Sequence, residues 1–315
     1  MTESFKLRLT AVEYAAPGVN RYRFSSLDGM QLPAFEPGAH IDVQLSDEVT
    51  RQYSLLWPSP APSDYVIAVQ VSEAGKGGSR ALHYGSVVGA SYSVSAPRNH
   101  FELEQADVEY CLLAGGIGIT PIISMYRQLK QAGRRVRLHY WAASLEHMLF
   151  RSELVGDPDV QLYPTRHGQT SATRLKDVLG GLAHSTRRYC CGPTAMVDAF
   201  DQLTADCAPG LARRERFSAA VDALQPGDDF RVLLQRSGLI LAVGPEQSLL
   251  QACEAAGVSV DYSCEEGICG ACEVKVLAGQ VDHRDSVLTD KERALGTRMM
   301  ICCSRGVGDS LVLDI

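Results

Sequence analysis

Four cysteines near the C-terminus constrain this chain more than any other feature of its sequence. Cys264, Cys269 and Cys272 follow the pattern C-x4-C-x2-C, and Cys302 comes after 29 intervening residues. Glycines lie between the first three, and they remove Cβ atoms where a backbone must wrap closely around a bound group. This part of the chain is therefore expected to form a small domain around a group held by four thiolates.

The spacing is that of plant-type [2Fe–2S] proteins, in which four thiolates hold two irons. Backbone N–H groups at Gly267, Gly270 and their neighbours are expected to point at the sulfides. The alternative is a zinc site, which usually takes its ligands as two cysteine pairs. Here the first gap is four residues and the last cysteine stands alone, which favours iron–sulfur. Cys303 is the alternative to Cys302 as fourth ligand.

The length of the 315-residue chain and the changes of sequence pattern along it indicate several domains. Residues 1–102 contain short β-rich runs separated by Gly, Pro and Asp, which predicts a small antiparallel barrel or sandwich. Residues 107–218 alternate strand and helix four times, which predicts a parallel sheet with helices on both faces. Residues 219–229 are typical of a linker, and residues 230–315 begin with two strands and a helix before the cysteine loop.

Composition limits where the chain works and what it binds. Hydrophobic residues make up 45% and charged residues 21%, which is typical of soluble proteins. No run is long and apolar enough to span a membrane, the N-terminus lacks signal-peptide features, and the cytoplasm is therefore expected. There, ten cysteines are expected to be thiols or metal ligands. A net charge of −7 argues against a nucleic-acid partner.

The excess of acidic residues lies in the cysteine-bearing part. Residues 226–315 hold 14 Asp and Glu against 8 Lys and Arg. This charge serves either solubility or docking to a partner with a basic face, and the sequence leaves both open.

Two glycine motifs of the middle region suit a dinucleotide. "LLAGGIGITP" follows a strand and opens a helix, so Gly115, Gly116 and Gly118 could let the backbone approach a pyrophosphate at a helix N-terminus. "YCCGPTAM" has the same placement, and a cysteine there would point into the crevice where such sheets bind ligands. The alternatives are turn glycines and a core cysteine.

Together these motifs resemble the ferredoxin–NADP⁺ reductase superfamily, whose nucleotide domain has a GG-x-G-[IT]-TP loop and a later CGP. By that resemblance Cys191, rather than Cys190, is expected beside the nicotinamide and is a predicted catalytic residue. The resemblance places these residues at the dinucleotide: Gly115, Gly116, Gly118, Thr120, Pro121, Gly192 and Pro193.

The N-terminal region matches the R-x-Y-S flavin motif of the same superfamily in "RQYSLL", through Arg51, Tyr53 and Ser54. A tyrosine can pack on the flavin ring, a hydroxyl can meet its polar edge, and an arginine can bind the phosphate or the reduced ring. "GKGGSRALH" resembles the second flavin segment, with Gly77, Gly78, Ser79 and Arg80 as expected phosphate contacts. By resemblance, Glu215, a predicted catalytic residue, and Phe217 in "RRERFSA" lie near flavin and nicotinamide.

The order of flavin barrel, nucleotide domain and C-terminal ferredoxin resembles the phthalate dioxygenase reductase and vanillate demethylase reductase group over essentially the whole chain. The resemblance implies an FMN-binding β-barrel at 1–102, an NAD-binding α/β domain at 107–218, a linker at 219–229 and an α+β β-grasp ferredoxin domain at 230–315. It implies FMN, although the residues alone do not exclude FAD. Related reductases often carry AARS where this chain has Ala142, Ala143 and Ser144 after Trp141, so an expected arginine is missing, which favours NADH, although Arg151 could still reach a 2′-phosphate.

By this resemblance the chain is an NADH-dependent iron–sulfur flavoprotein. It takes a hydride from NADH onto FMN and passes single electrons through [2Fe–2S] to a separate, transiently bound Rieske-type terminal oxygenase component. One alternative is an electron-transfer subunit of a permanent flavoprotein complex, in which the last cysteine follows much sooner. Another alternative is a redox sensor without NADH turnover.

Overall fold

The computed structural model describes residues 4–46, 49–73, 77–165, 171–219 and 223–315. The chain divides into two compact units, Thr2–Glu215 and Arg216–Ile315. Part of the predicted linker, residues 220–222, and Gly75 and Lys76 of the second flavin segment lie outside the described residues. Within the described ranges, no helix has the length and apolar character needed to cross a membrane.

The first unit begins with a closed barrel of six antiparallel strands in the order β1-β2-β5-β4-β3-β6. The short β-rich runs predicted in residues 1–102 form these strands; β2 alternates buried and partly exposed side chains from Tyr22 to Ser25, whereas β3 and β5 are buried along most of their length. Tyr22 and Phe24, for example, are fully buried inside the barrel. The elements are β1 Ser4–Ala16, β2 Val19–Ser26, β3 His40–Gln44, β4 Thr50–Leu56, β5 Asp64–Gln70, helix α1 Gly78–Gly85 and β6 Ser91–Ser95.

A parallel sheet of five strands follows in the order β11-β10-β7-β8-β9. The strand that comes last in the chain, with the sequence "ARRE", was not predicted, because that segment contains no apolar run. The elements are β7 Tyr110–Gly115, α2 Ile119–Gln131, β8 Val136–Ala142, α3 Arg151–Leu154, β9 Val160–Pro164, α4 Ser171–Gly180, β10 Arg187–Cys191, α5 Thr194–Thr204 and β11 Ala212–Glu215.

Helices cover both faces of this sheet, as the alternation of strands and helices predicts. On β7, Leu112 packs into one hydrophobic cluster with Ile122 of α2. Its neighbour Leu113 packs into the opposite cluster with Leu175 of α4 and Phe200 of α5. Successive side chains of a strand point to opposite faces, so each face acquires its own layer of helices.

The second helical segment of that alternation, "SLEHMLFRSEL" at residues 144–154, predicts one continuous helix, and this prediction is wrong in its length. The structure has only a 3₁₀ turn at Leu145–His147 and the four-residue α3. Phe150 stands between them with a φ of 60°, a left-handed conformation that a continuous right-handed helix excludes. The Leu149 N–H, freed from helical bonding, donates to the Tyr140 hydroxyl at 3.2 Å.

The barrel and the sheet share a hydrophobic core inside the first unit. Val19, Leu56 and Val66, on the outside of the barrel, lie in the same buried cluster as Ile119 and Ile123 of α2. Burial of apolar surface is the main favourable term in folding. The barrel and sheet are therefore joined by packing, although the sequence distinguishes them as two domains.

The second unit is a mixed sheet with two short helices, in the order β13-β12-β16-β14-β15. β12 and β16 are parallel, and the other pairs are antiparallel, which is the expected β-grasp arrangement. Side-chain capping boxes start both helices, at Ser248 and at Thr289. The elements are β12 Phe230–Leu234, β13 Leu239–Val243, α6 Leu249–Ala255, β14 Glu273–Asp282, α7 Asp290–Leu295, β15 Arg298–Met300 and β16 Arg305–Leu313.

Candidate functional site

Strand β4 carries the predicted flavin residues, with buried polar atoms that lack a partner. The hydroxyl groups of Tyr53 and Ser54 and the side-chain oxygen of Gln52 are buried, with no hydrogen-bond partner among the described residues. Burial raises the pKa of the Tyr53 phenol, so it stays a hydrogen-bond donor at neutral pH. Buried polar groups almost always have partners, and each unpaired one costs about 1–3 kcal/mol. This strand therefore fits a ligand with a polar edge.

The second predicted flavin segment packs against the first. Gly77 has a φ of 87° and precedes α1, and a Cβ on Gly78 would lie 2.4 Å from Cγ of Arg51. A side chain at position 78 would thus displace Arg51, which brings this arginine next to the first turn of α1. Ser79 Oγ already accepts the Ser72 N–H at 3.0 Å, and Arg80 is exposed.

The two predicted nucleotide loops contact each other directly. A Cβ on Gly118 would lie 2.4 Å from the carbonyl oxygen of Cys191, and one on Gly115 would lie 2.6 Å from Cδ of Pro193. A Cβ on Gly192 would lie 2.9 Å from Sδ of Met196. Backbone atoms and a proline ring cannot move aside as the Met196 side chain can, so Gly115 and Gly118 are required for the loops to pack together.

Gly116 differs from the other glycines of its loop. It has a φ of 53°, and no atom of the described residues lies within 4 Å of a Cβ built on it, so its open side can receive a ligand. Thr120 is buried and donates its hydroxyl to the Ile117 carbonyl at 2.9 Å, and Pro121 is buried beside it in α2. These two residues therefore shape the start of the helix.

Adjacent strands pair the two predicted catalytic residues, Cys191 and Glu215. They are register partners at the carboxyl ends of β10 and β11, and Cys191 is completely buried. Burial, together with the Glu215 carboxylate, raises the pKa of the Cys191 thiol. Burial alone raises the pKa of Glu215 to about 8, and its Oε2 has no partner among the described residues. Phe217 is 38% exposed and lies in the other compact unit; its predicted place near the flavin stays a prediction.

The cysteine loop brings the predicted cluster ligands together. The Cys264 sulfur contacts those of Cys269 and Cys302, and the Cys302 sulfur also contacts that of Cys272. These contacts lower the pKa of the Cys264 thiol and raise those of Cys269 and Cys302. These contacts connect the four thiols in a row, Cys269 to Cys264, Cys264 to Cys302 and Cys302 to Cys272, and four thiols are the donor set that a [2Fe–2S] cluster requires.

The backbone of the loop turns its N–H groups toward the sulfurs. The N–H of Glu266 donates to Cys264 Sγ at 3.3 Å, and that of Ala271 donates to Cys269 Sγ at 3.5 Å. Glu265, Gly267 and Gly270 have φ values of 55°, 68° and 73°. This left-handed geometry lets the loop curl around a bound group and stabilise its negative charge.

Comparison with known proteins gives matches to the cysteine-bearing part and to nearly the whole chain. A family model described as a 2Fe-2S iron-sulfur cluster binding domain matches residues 232–306, which include all four cysteines. Tetrachlorobenzoquinone reductase of Sphingobium chlorophenolicum is 38% identical over 317 residues, covering 98% of this chain and 97% of that protein. Phthalate dioxygenase reductase of Burkholderia cepacia is 35% identical over 314 residues, with the same coverage.

The chain belongs to the phthalate dioxygenase reductase family. A solved structure of phthalate dioxygenase reductase, described as modular for electron transfer from pyridine nucleotides to [2Fe–2S], covers 99% of this reductase with a TM-score of 0.71 and 35% identity. An intact type IV self-sufficient cytochrome P450 monooxygenase also matches 99% of the reductase, with a TM-score of 0.90 and 38% identity. The reductase spans 41% of that longer chain. The predicted family, fold class and oxidoreductase activity are confirmed.

Cys303 is a fifth thiol beside the cluster loop of the reductase. Its sulfur donates to the Met300 carbonyl at 3.8 Å, and a Cβ on Gly267 would lie 2.5 Å from it. Cys302, in contrast, contacts the sulfurs of two other predicted ligands, Cys264 and Cys272, besides that of Cys303. This difference supports Cys302 as the fourth ligand, which stays a prediction.

Sequence reasoning missed an aromatic stack at the carboxyl ends of β8 and β9. The Trp141 and Tyr163 rings lie 4.5 Å apart and nearly parallel, His139 Nδ1 lies 2.9 Å from the Tyr163 hydroxyl oxygen, and the Arg174 guanidinium lies 5.3 Å from the Tyr163 ring. Trp141 and Tyr163 are register partners. Only this pairing reveals the stack, because 21 residues separate the two in sequence.

A cavity of about 840 Å³ in the first unit contains none of the residues predicted to bind flavin, nicotinamide or the cluster, although Arg151, the alternative cation for a 2′-phosphate, lines it. Trp57, Arg127 and Phe150 line it, and the Arg127 guanidinium lies 5.9 Å from the Trp57 ring and 5.1 Å from the Phe150 ring. Arg127 is also paired with Glu153. Nη1 of Arg127 and Nε of Arg21, which also lines the cavity, are buried and have no hydrogen-bond partner among the described residues.

We expect Glu215→Gln to remove a pH dependence from the stability of the first unit. The unfolded carboxyl loses its proton near pH 4.5 and the folded one only near pH 8, so the wild type loses stability between these values. The loss reaches at most roughly 5 kcal/mol above pH 8. The variant should therefore melt several degrees above the wild type at pH 8.5 and close to it at pH 5.

Calorimetry at both pH values measures this difference. Glu102→Gln, at an exposed position of the same unit, serves as the matched control and should leave the melting curve unchanged. A Glu215→Gln effect of equal size at pH 5 and pH 8.5 would contradict the assignment of a buried carboxyl with a raised pKa.

Proposed function

We propose that the reductase oxidises NADH and delivers single electrons, through FMN and a [2Fe–2S] cluster, to a Rieske-type oxygenase component. The observation that carries the proposal is the combination, in one chain, of buried polar groups without partners at Tyr53 and Ser54 and four thiols connected by pairwise contacts. The family relationship supports the same order of sites.

The residues present suit both resident cofactors. When bound, FMN supplies the conversion of a two-electron hydride into single electrons, which a [2Fe–2S] cluster accepts. Tyr53 and Ser54 would complete their hydrogen bonds on the flavin, and Arg51, next to Gly78, would hold its phosphate at the start of α1. The four contacting thiols would hold the irons.

Gly116, Cys191 and Glu215 form the proposed nicotinamide side of the site. The open face of Gly116 would accept the dinucleotide phosphates, and the packed loops would fix the position of the nicotinamide near Cys191. Because burial raises the pKa of Glu215 to about 8, this side chain is protonated at pH 7. It then presents an O–H donor and adds no negative charge beside the reacting ring.

The preference for NADH over NADPH is proposed to depend on Ala143. This residue is exposed directly after β8, where a cation would meet a 2′-phosphate. Ala143→Arg should raise kcat/KM for NADPH relative to NADH by about tenfold to a hundredfold, since a charge-assisted hydrogen bond contributes about 1.5–3 kcal/mol. Ala143→Met adds length without charge and is the control. Equal effects of both variants on the ratio would contradict this role.

The surface around Cys264 suits a partner with a basic face. Cys264 is the least buried of the four ligands, and Asp261, Tyr262 and Glu265 beside it are exposed. Acidic groups near the point where electrons leave the cluster would attract a positively charged acceptor, and this attraction would weaken as the salt concentration rises.

The proposed location is the cytoplasm, because all ten cysteines are free thiols, and a cluster held by thiolates requires free thiols.

A cytochrome P450 monooxygenase is the second candidate partner. The structural match to a self-sufficient P450 monooxygenase, at a TM-score of 0.90, favours it, because that longer chain contains a region similar to the whole reductase. Mixing the reduced protein with a purified Rieske-type oxygenase, and separately with a P450, distinguishes the two. The true partner should reoxidise the cluster in a single turnover.

Anaerobic titration of the purified protein with NADH tests the proposed function. Visible absorption and low-temperature EPR follow the cofactors, and chromatography identifies the released flavin. We expect flavin bleaching together with a rhombic [2Fe–2S] signal. Reduced flavin without that signal, in protein shown to contain iron and sulfide, would contradict the proposal.

A further inference from the structure

Asp285 is a buried carboxylate of the second unit to which the proposed function gives no role. It lies between β14 and α7 and is 3% exposed. Its Oδ2 accepts the N–H groups of Val287 and Leu288 at 3.0 and 2.7 Å. A charge that is taken out of water needs such bonds, so they hold the chain around Asp285 in one conformation.

The Asp285 segment packs on the loop that carries the first three predicted ligands. The Ser286 N–H donates to the Gly267 carbonyl at 2.8 Å. A Cβ on Gly267 would lie 3.2 Å from Cα of Asp285 and 2.5 Å from the sulfur of Cys303. The backbone of residues 285–286 is therefore in direct contact with the middle of the cysteine loop.

The same segment contacts the turn that carries the fourth predicted ligand, Cys302. Ser304, two residues later, is 1% exposed and donates its hydroxyl to Oδ1 of Asp285 at 3.4 Å. The Ser304 hydroxyl also accepts the Arg284 N–H at 3.1 Å. Hydrogen bonds from both ligand-bearing segments thus meet at residues 284–286.

Two arginine side chains anchor the backbone on either side of this network. Arg284, which precedes the carboxylate, donates through Nη1 to the Gln225 carbonyl at 2.6 Å. Arg305, which follows the serine, donates through Nη2 to the Asp228 carbonyl at 2.9 Å. Both acceptors belong to the segment 219–229 that the sequence predicts as a linker. Removal of one bond within the network should therefore leave the fold of the unit intact.

The charge of Asp285 is only partly balanced by its neighbours. Arg293 Nη2 lies 3.9 Å from Oδ2, beyond hydrogen-bond distance, and donates instead to the Asp285 backbone carbonyl. His283 Nδ1 lies 3.7 Å from Oδ1, and burial lowers the pKa of this histidine, so its ring is uncharged at neutral pH. A buried charge is poorly screened by solvent and salt, so it acts on the groups around it.

We propose that Asp285 is a positioning residue for the cluster, which fixes the fourth ligand against the cysteine loop and whose charge keeps the reduction potential of the cluster low. The inference rests on the proposed cluster ligands. One-electron reduction adds a negative charge to the cluster, and a nearby buried carboxylate disfavours that charge. A lower potential makes the reduced protein a stronger electron donor to its acceptor.

Asp285→Asn tests the role of the charge, because it keeps the size of the side chain. Redox titration of the loaded protein, followed by EPR, measures the midpoint potential. We expect the ratio of reduced to oxidised cluster at a fixed solution potential to rise about tenfold, which is an upward shift of about 59 mV for a one-electron couple. Asp290→Asn removes the same charge from an exposed position of α7 and is the control, which should leave the potential unchanged.

Ser304→Ala tests the role in positioning, because it keeps the charge of Asp285 and removes the hydroxyl that connects it to the turn of Cys302. Iron released to a chelator over time measures how firmly the cluster is held. We expect this variant to lose iron about tenfold faster than the wild type, with a smaller change of potential than in Asp285→Asn.

An unchanged midpoint potential in loaded Asp285→Asn would overturn the proposal, as would wild-type retention of iron in Ser304→Ala. If Asp285→Asn unfolds or binds no iron, Ser304→Ala decides. Faster iron loss at an unchanged far-UV circular dichroism spectrum supports the proposal, and normal retention overturns it. A wild-type protein that contains no iron and sulfide would instead contradict the proposed function.

Discussion

Cys302→Ser is expected to leave reduction of the flavin by NADH at its wild-type rate and to lower reduction of a one-electron protein acceptor to background. The Cys302 sulfur contacts those of Cys264 and Cys272, and a two-iron cluster needs all four thiolates. A serine hydroxyl does not replace a thiolate at neutral pH. Iron and sulfide analysis and EPR should show that the cluster is lost, while stopped-flow absorption follows the flavin.

Cys303→Ser is the matched control for this prediction, because it makes the same substitution in the neighbouring residue. Its sulfur bonds to the Met300 carbonyl, and serine can keep that contact. This variant should retain iron, sulfide and the EPR signal. If the two variants exchange these outcomes, Cys303 is the ligand and the assignment of Cys302 is wrong. The same substitution at Cys272 should reproduce the loss seen for Cys302.

Gly118→Ala is expected to lower kcat/KM for NADH about tenfold to a hundredfold. The added Cβ would lie 2.4 Å from the Cys191 carbonyl oxygen and 2.7 Å from the Gly192 nitrogen, both backbone atoms that no rotamer change can move. Overpacking of this kind costs about 1–3 kcal/mol, and here it separates the two loops that are proposed to hold the dinucleotide. Steady-state kinetics with an artificial acceptor measures kcat/KM for NADH.

The flavin and cluster content of this variant should equal that of the wild type, because neither site includes the loop. Gly180→Ala is the control, because Gly180 lies at the end of α4 and a Cβ added there would meet no atom of the described residues within 4 Å. It should change no kinetic constant. A Gly118→Ala enzyme with normal kcat/KM for NADH would show that the packing of the loops is not needed for the reaction.

The cysteine loop could be predicted because its information is local. Three of the four ligands lie within residues 264–272, and their spacing with glycine determines how the backbone must turn. The same holds for the strands of the barrel and the helices of the sheet, whose alternation and periodicity are properties of short segments. The error at residues 144–154 arose where a local pattern was helical, whereas tertiary packing placed Phe150 in a left-handed conformation.

Other features depend on which distant segments meet. The pairing of Cys191 with Glu215 follows from the register of β10 against β11, and β11 itself has no apolar pattern that would identify it. The sequence indicates that Gly115 and Gly118 need small residues, but it suggests phosphate contact as the reason. The structure shows that close contact with the CGP loop also requires them.

The sequence by itself determined most of the strands and helices and the spacing of the four cysteines, and its motifs predict the order of the three domain types and the residues at each site, because spacing and periodicity act over a few residues. Only the tertiary structure decided which buried polar groups lack partners, which thiols touch, and that Arg284 and Arg305 hold the expected linker on the second unit. These properties arise from strand register and side-chain packing between residues far apart in sequence, and no local pattern encodes them.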